Sequence, residues 1–283
     1  MKILITGSKG MLSHDLAKVL SLDHEIILTD RNNLDISSKE NVEQFLSQYE
    51  LDFVINCAAY TLVDKAEEFS EQNKVEKINS LGVYNLAKYC SYNKIKFIQY
   101  STDYVFDGEN KNGYKESDIP INPVNFYGLT KLKAENYISD IANNNPDFVY
   151  YIFRISWLYG SGGKNFVDTM IHLSKNKTEL SIINDQIGSP TYTLDVAKRT
   201  NYIINNNLGK GIYHLSNEGA VSWYEFASEI FRLKNIDIKL NPISSSEYKT
   251  LARRPKFSIL LNTKLNTKMR IWKEALAEYL GKK

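Results

Sequence analysis

Apolar residues in the first half of the chain fall into short runs: KILIT, EIILT, DFVINCA, KFIQYST and FVYYIFRIS. Between these runs lie longer stretches whose apolar positions recur with helical spacing. The runs predict strands, and the stretches at 10–21, 38–49, 71–93 and 126–143 predict amphipathic helices. Strand alternating with helix predicts an α/β fold, a doubly wound and Rossmann-like parallel sheet. Beyond residue 156 the rhythm breaks into shorter pieces, with helices near 164–176, 192–205, 222–234 and 271–280 and a strand LSII at 180–183. The expected organisation is a dinucleotide-binding domain over 1–155, with an interleaved return segment near 192–215, and a smaller substrate lobe over 156–283.

In an open parallel sheet, ligands bind beyond the carboxyl ends of the strands. The segment TGSKGMLS at 6–13 lies between the first strand and the first helix, where backbone amides and a helix N-terminus can hold a pyrophosphate. Gly7 and Gly10 fit a GxxGxxG spacing, but Ser13 stands at the third position; an ordinary turn is the plainer reading of such a loop. Asp30 and Arg31 end the second strand, about twenty residues on, where an acid can accept from the adenosine ribose. Asp30 equally fits a turn. After the third strand, Ala58, Ala59, Tyr60 and Thr61 are small or flat enough to line the ribose and nicotinamide end, although paired alanines also suit simple packing. Asn79, inside the following helix, is either a cofactor contact or a satisfied polar group in the core.

The chemistry centres on YGLTK at 127–131, which puts Tyr127 and Lys131 on one helix face. A phenol titrates near 10, about three pH units too high for easy acid–base work, and an adjacent ammonium is expected to lower that value. Such spacing also arises by chance in structural helices. Ser101 and Thr102 sit at the end of the fourth strand, facing the same region. Adjacent guanidiniums at Arg253 and Arg254 can grip a diphosphate, and Asn165 and Phe166 open a helix whose N-terminus is expected to face it.

Composition removes whole classes of partner. The formal charge of +2 comes from balanced acids and bases without a basic block, so no nucleic-acid footprint is expected. No apolar stretch approaches the roughly 20 residues of a membrane span, and a cytoplasmic protein is expected. Cys57 and Cys90 lack CxxC spacing and predict buried, reduced thiols. His14, His24, His172 and His214 show no metal-ligand spacing and are read as structural; no metal site is expected from the residues.

Together these features resemble the extended short-chain dehydrogenase/reductases. Within them the chain is similar to the dTDP-4-dehydrorhamnose reductase family, in text spread over nearly its whole length: TGSKGML, LDIS, NCAAYTLVDKAE, YSTDYVFDG, NPVNFYGLTKLKAE, RISWLYG, NDQIGSPT, GIYHLSN, SWYEFA and ARRPKFS. The resemblance implies NAD(P)H-dependent reduction of a 4-keto dTDP-sugar, with Tyr127 as proton donor, Lys131 as its partner and Thr102 as a hydrogen-bond donor to the keto oxygen. It implies cofactor contacts from Gly7, Ser8, Lys9, Gly10, Met11, Leu12, Asp30, Arg31, Asp35, Ile36, Ala58 to Thr61 and Asn79. It places Asp103, Tyr104, Trp157, Asn165 and Arg254 at the substrate, although a tryptophan after an apolar strand also suits a core. Lys9 and Arg31 favour NADPH and Asp30 favours NADH, so both are expected to work. Relatives are often homodimers, and magnesium enters by resemblance alone. Two other readings stay open: a non-catalytic nucleotide-binding regulatory subunit, and reduction of a related 4-keto-6-deoxy sugar nucleotide. A dehydratase is disfavoured, because Asp103 is followed by Tyr104 where that chemistry wants a glutamate.

Overall fold

The computed structural model describes residues 1–281. Its first half runs β1 (Lys2–Thr6), α1 (Met11–Leu20), β2 (Glu25–Leu28), α2 (Lys39–Leu46), β3 (Phe53–Asn56), α3 (Phe69–Glu76), α4 (Gly82–Tyr92), β4 (Lys96–Thr102), α5 (Phe126–Asn144) and β5 (Tyr150–Ile155). The second half runs β6 (Leu158–Tyr159), α6 (Phe166–Ser174), β7 (Glu179–Ile183), β8 (Ile187–Gly188), β9 (Thr191–Tyr192), α7 (Thr193–Asn205) and β10 (Gly211–His214). It finishes with β11 (Val221–Ser222), α8 (Trp223–Lys234), β12 (Lys239–Ile243), β13 (Phe257–Ser258) and α9 (Trp272–Gly281).

Six parallel strands form the central sheet in the order β10-β5-β4-β3-β1-β2. Its inner strands are buried on both faces, which explains why β1 and β3 read as near-continuous apolar runs, while β4 buries Gln99, Ser101 and Thr102 among its apolar residues. One face is covered by α1 and α7, the other by α2, α4 and α5. The strand order reverses between β1 and β3, so the carboxyl ends of these strands, with β4 next to β3, border one crevice. A second apolar core joins α6, α8 and α9 to β7 and β9.

The helix expected over 71–93 is one continuous run, α3 to α4, interrupted by a π-helical turn over Lys77–Leu81. That turn carries Asn79, whose amide nitrogen donates to the Tyr60 carbonyl while its oxygen accepts from the Tyr60 amide at 2.8 Å. Of its two readings, the structure shows a satisfied buried amide that pins the loop after β3.

Candidate active site

The glycine loop is built around one close approach. Gly7 has φ +68°, and a Cβ there would stand 2.7 Å from the Ala58 amide nitrogen, so only glycine lets the β1 and β3 turns meet. Ser13, expected as a weakness of the motif, is fully buried and donates from Oγ to the carbonyls of Gly7 at 2.7 Å and Gly10 at 2.8 Å. A small residue at this position thus ties the loop to α1. Gly10 is the N-cap of α1 and makes no side-chain cap, so no capping side chain takes up the helix's first amides. Ser8, Met11 and Leu12 follow the turn, with Leu12 buried in the core.

At the end of β2, Asp30 takes the turn position expected of it. Oδ1 accepts from the Asn32 amide in a turn, and Oδ2 pairs with Lys9 at 2.6 Å, which holds the carboxyl below its usual range. Arg31 is exposed beside them. Asp35 accepts from the backbone and hydroxyl of Ser37, and the Ile36 carbonyl accepts from Asn85, so both order the segment between β2 and α2. Ala58 and Ala59 are half-buried, and the Ala58 amide donates to Thr6 and Asn56. Tyr60 is buried and Thr61 exposed. This wall of small groups, a glycine turn and a helix N-terminus fits a dinucleotide.

Thr102 and Tyr127 meet because of Gly128. A Cβ on Gly128 would fall 2.2 Å from the Tyr104 carbonyl oxygen, so the first turn of α5 can lie directly on the segment after β4. Asn125 caps α5, accepting from the Gly128 amide at 2.7 Å and donating to the Arg253 carbonyl at 2.9 Å; Glu67 accepts from the Phe126 amide at 2.7 Å. The Thr102 hydroxyl then faces the Tyr127 phenol and favours its phenolate, but burial dominates and Asp103 adds to it, pushing the phenol well above its usual value.

Lys131 does not lower that value, contrary to the expectation from helical spacing. Its ammonium donates to the Tyr100 carbonyl at 2.6 Å, while burial brings its own pKa down to about 8. A phenol that keeps its proton is the form that can act as an acid toward a carbonyl oxygen.

Other expected contacts are placed differently. Arg254 makes a bidentate ion pair with Asp64, at 2.6 Å to each carboxylate oxygen, and also reaches Tyr104. Asn165 is a buried cap of α6: its oxygen accepts from the Asp168 amide, and its nitrogen donates to Gly160, Asp168 and Tyr279. Both ends of that amide are committed inside the lobe, so Asn165 places the helix instead of presenting itself to a ligand. Phe166 and Trp157 are half-buried. Trp157 adopts φ +44°, a conformation a bulky residue holds only when its surroundings impose it. Its indole stacks on Trp223 at 3.4 Å between ring centroids and 3° between planes, with Phe166 against the far side of the cluster. The tyrosine pair Tyr104 and Tyr127 meets edge to face at 6.0 Å.

Asp64, Trp223 and Ser258 carry no expected role, yet all three lie in segments singled out above, VDKAE, SWYEFA and ARRPKFS. Cys57 is half-buried and Cys90 buried, both free. No group of three or more His, Cys, Asp or Glu among the described residues is arranged to hold a metal. No described helix is long and apolar enough to cross a membrane.

A doubly wound parallel sheet, with a glycine turn after its first strand and threonine, tyrosine and lysine gathered at the end of its fourth, defines an extended short-chain dehydrogenase/reductase. More narrowly, the chain belongs to the RmlD substrate binding domain family, whose profile matches residues 1–283. Among solved structures it is similar to a dTDP-4-dehydrorhamnose reductase from Clostridium acetobutylicum, with 44% identity, TM-score 0.92 and 99% of each chain covered. It is similar also to the Bacillus anthracis dTDP-4-dehydrorhamnose reductase in complex with NADP, at 37% identity and TM-score 0.93, covering 100% of this chain and 99% of that one. A spore coat polysaccharide biosynthesis protein of Bacillus subtilis is 36% identical over 99% of this chain and 96% of its own.

Proposed function

We propose that this chain reduces the 4-keto group of dTDP-4-dehydro-6-deoxy-L-mannose to give dTDP-L-rhamnose, with NADPH or NADH as reductant. The observation that carries the reading is the meeting of Thr102, Tyr127 and Lys131 at the carboxyl end of β4, beside the glycine turn. The reduced nicotinamide supplies a hydride to the keto carbon. Tyr127, kept protonated by burial, gives its proton to the keto oxygen, and the Thr102 hydroxyl, which faces the phenol, stabilises the phenolate left behind. Lys131, buried yet still largely charged at neutrality with a pKa of about 8, presents a cation to the cofactor ribose. Trp157, held on Trp223, offers a flat wall to the sugar. Arg254 lies at the diphosphate end and exchanges or shares Asp64 when the substrate binds. The working enzyme is expected to be a homodimer, which light scattering would read.

The test is loss of NADPH absorbance on adding the dTDP-4-keto sugar, with the product compared against dTDP-L-rhamnose by chromatography. Oxidation of cofactor with a different product would point to a related 6-deoxy sugar. No oxidation with either cofactor would leave the non-catalytic reading.

A further inference from the structure

Asp103 has no assigned chemistry in the reaction, although it is only 3% exposed and touches the residues that perform it. Its Oδ1 lies 2.9 Å from the Thr102 hydroxyl, and Oδ2 is buried without a hydrogen-bond partner of good geometry among the described residues. An ionised carboxylate in that place leaves an acceptor unpaired at considerable cost. The groups around it are Thr102, Tyr104 and Tyr127, with the Ser258 hydroxyl of β13 near enough to favour the charged form. Arg254 is paired with Asp64 and reaches Tyr104, and Lys131 is turned to the Tyr100 carbonyl. Burial accordingly brings the carboxyl up to about 7.

One proton decides how the Thr102 hydroxyl is used. Its oxygen already accepts from the Tyr104 amide at 3.2 Å. With Asp103 ionised, the single hydroxyl proton goes to Oδ1, and Tyr127 loses its donor. With Asp103 protonated, the carboxylic acid donates to Thr102, Thr102 donates to the phenol oxygen, and Oδ2 is left as an uncharged carbonyl.

We propose that Asp103 is the proton reservoir of the site, replacing through the Thr102 hydroxyl the proton that Tyr127 gives to the keto oxygen. The proposal rests on the reductase reading. As the hydride and its electron pair bond to the keto carbon, the Tyr127 O–H bond breaks and its proton goes to the keto oxygen. The Thr102 proton passes to the phenolate oxygen, and the Asp103 proton passes to Thr102. Asp103 is left as a carboxylate and regains a proton from water after product leaves.

The experiment is single-turnover NADPH oxidation with the dTDP-4-keto sugar, followed from pH 5.5 to 9 in wild type, Asp103→Asn and Ser258→Ala. The wild-type rate should hold below about pH 7 and fall above it, because the reservoir is full only on the acid side. Asp103→Asn should be about tenfold to a hundredfold slower on the acid side and lack that limb. Ser258→Ala removes a group that favours the carboxylate, so the limb should move to higher pH with the acid-side rate unchanged; this variant leaves Thr102, Asp103 and Tyr127 in place should Asp103→Asn fold poorly. A limb that survives in Asp103→Asn, or stays put in Ser258→Ala, overturns the relay. So does a rise in KM for the sugar nucleotide with an unaltered rate profile, which would make Asp103 a binding contact alone. Absence of turnover by wild type overturns the reductase reading and the relay with it.

Discussion

Two layers of buried polar groups share β4 and α5, and they are finished in opposite ways. In the lower layer Arg154, opposite Ser101 in the β4–β5 register, is fully buried and grips Glu135 with Nε at 3.1 Å and Nη2 at 2.7 Å. Ser101 donates to the same carboxylate at 2.5 Å, and Arg154 also donates to His214, whose other ring nitrogen donates to the Leu261 carbonyl. Burial, then the arginine beside it, brings His214 down to about 4, so it stays neutral and serves as an acceptor. One helical turn away from Glu135 lies Lys131, and one further turn Tyr127, in the layer where Asp103 has an unpaired oxygen and the phenol is pushed up. The same elements therefore hold one network whose charges are answered and another whose groups are incompletely paired. Full pairing makes a strut; incomplete pairing makes a reactive site.

The largest effect should come from the incomplete layer. Tyr127→Phe removes a proton donor and little surface, so turnover should fall about 10²- to 10⁴-fold with the unfolding midpoint nearly unchanged. Retention of more than about half the wild-type turnover, with chemistry rate-limiting, would collapse the distinction between the layers.

In the paired layer the cost moves to stability. Arg154→Met strands the Glu135 carboxylate in the core and should cost about 3–5 kcal/mol in urea unfolding. Adding Glu135→Leu should restore much of that loss, since a buried pair replaced by apolar groups is often neutral. A double variant no more stable than the single one would show that the network does more than answer its own charges.

Arg254–Asp64 stands between these cases, with side chains 20% and 42% exposed, and joins the segment after β3 to the segment before β13. Arg254→Ala should raise the KM for the dTDP-sugar about tenfold, at the low end for a charged hydrogen bond because water screens the site, and leave the KM for NADPH alone. An unchanged sugar-nucleotide KM would remove Arg254 from the substrate site.

The smallest effect belongs to the exposed pair, Lys9–Asp30 at 2.6 Å. Because these opposite charges already answer each other at the rim, NADPH and NADH should support catalysis within about a hundredfold of one another, the gap narrowing as salt rises. A larger preference that salt leaves unmoved would place other groups at the 2′ position.

What the sequence by itself determined is the part of the site written in local geometry. An apolar run and a period-3.6 pattern identify β4 and α5, and the end of a strand and an i, i+4 step then name Thr102, Tyr127 and Lys131. The glycine loop and Asp30 follow from the same strand-end logic. Helical spacing also suggested that Lys131 tunes Tyr127, and there it misled, because a shared face does not say which acceptor a long side chain chooses. That choice fell to the Tyr100 carbonyl, presented by a neighbouring strand. Everything decided by pairing and burial waited for the tertiary structure. Asp64 and Arg254 lie 190 positions apart, and Trp157 takes its left-handed backbone in contact with a tryptophan that opens α8. The Asp103 carboxyl is shifted by desolvation among segments distant in the chain, with Ser258 of β13 closing over it. Local periodicity sets which way a side chain faces, whereas its charge state depends on which remote atoms replace the water around it.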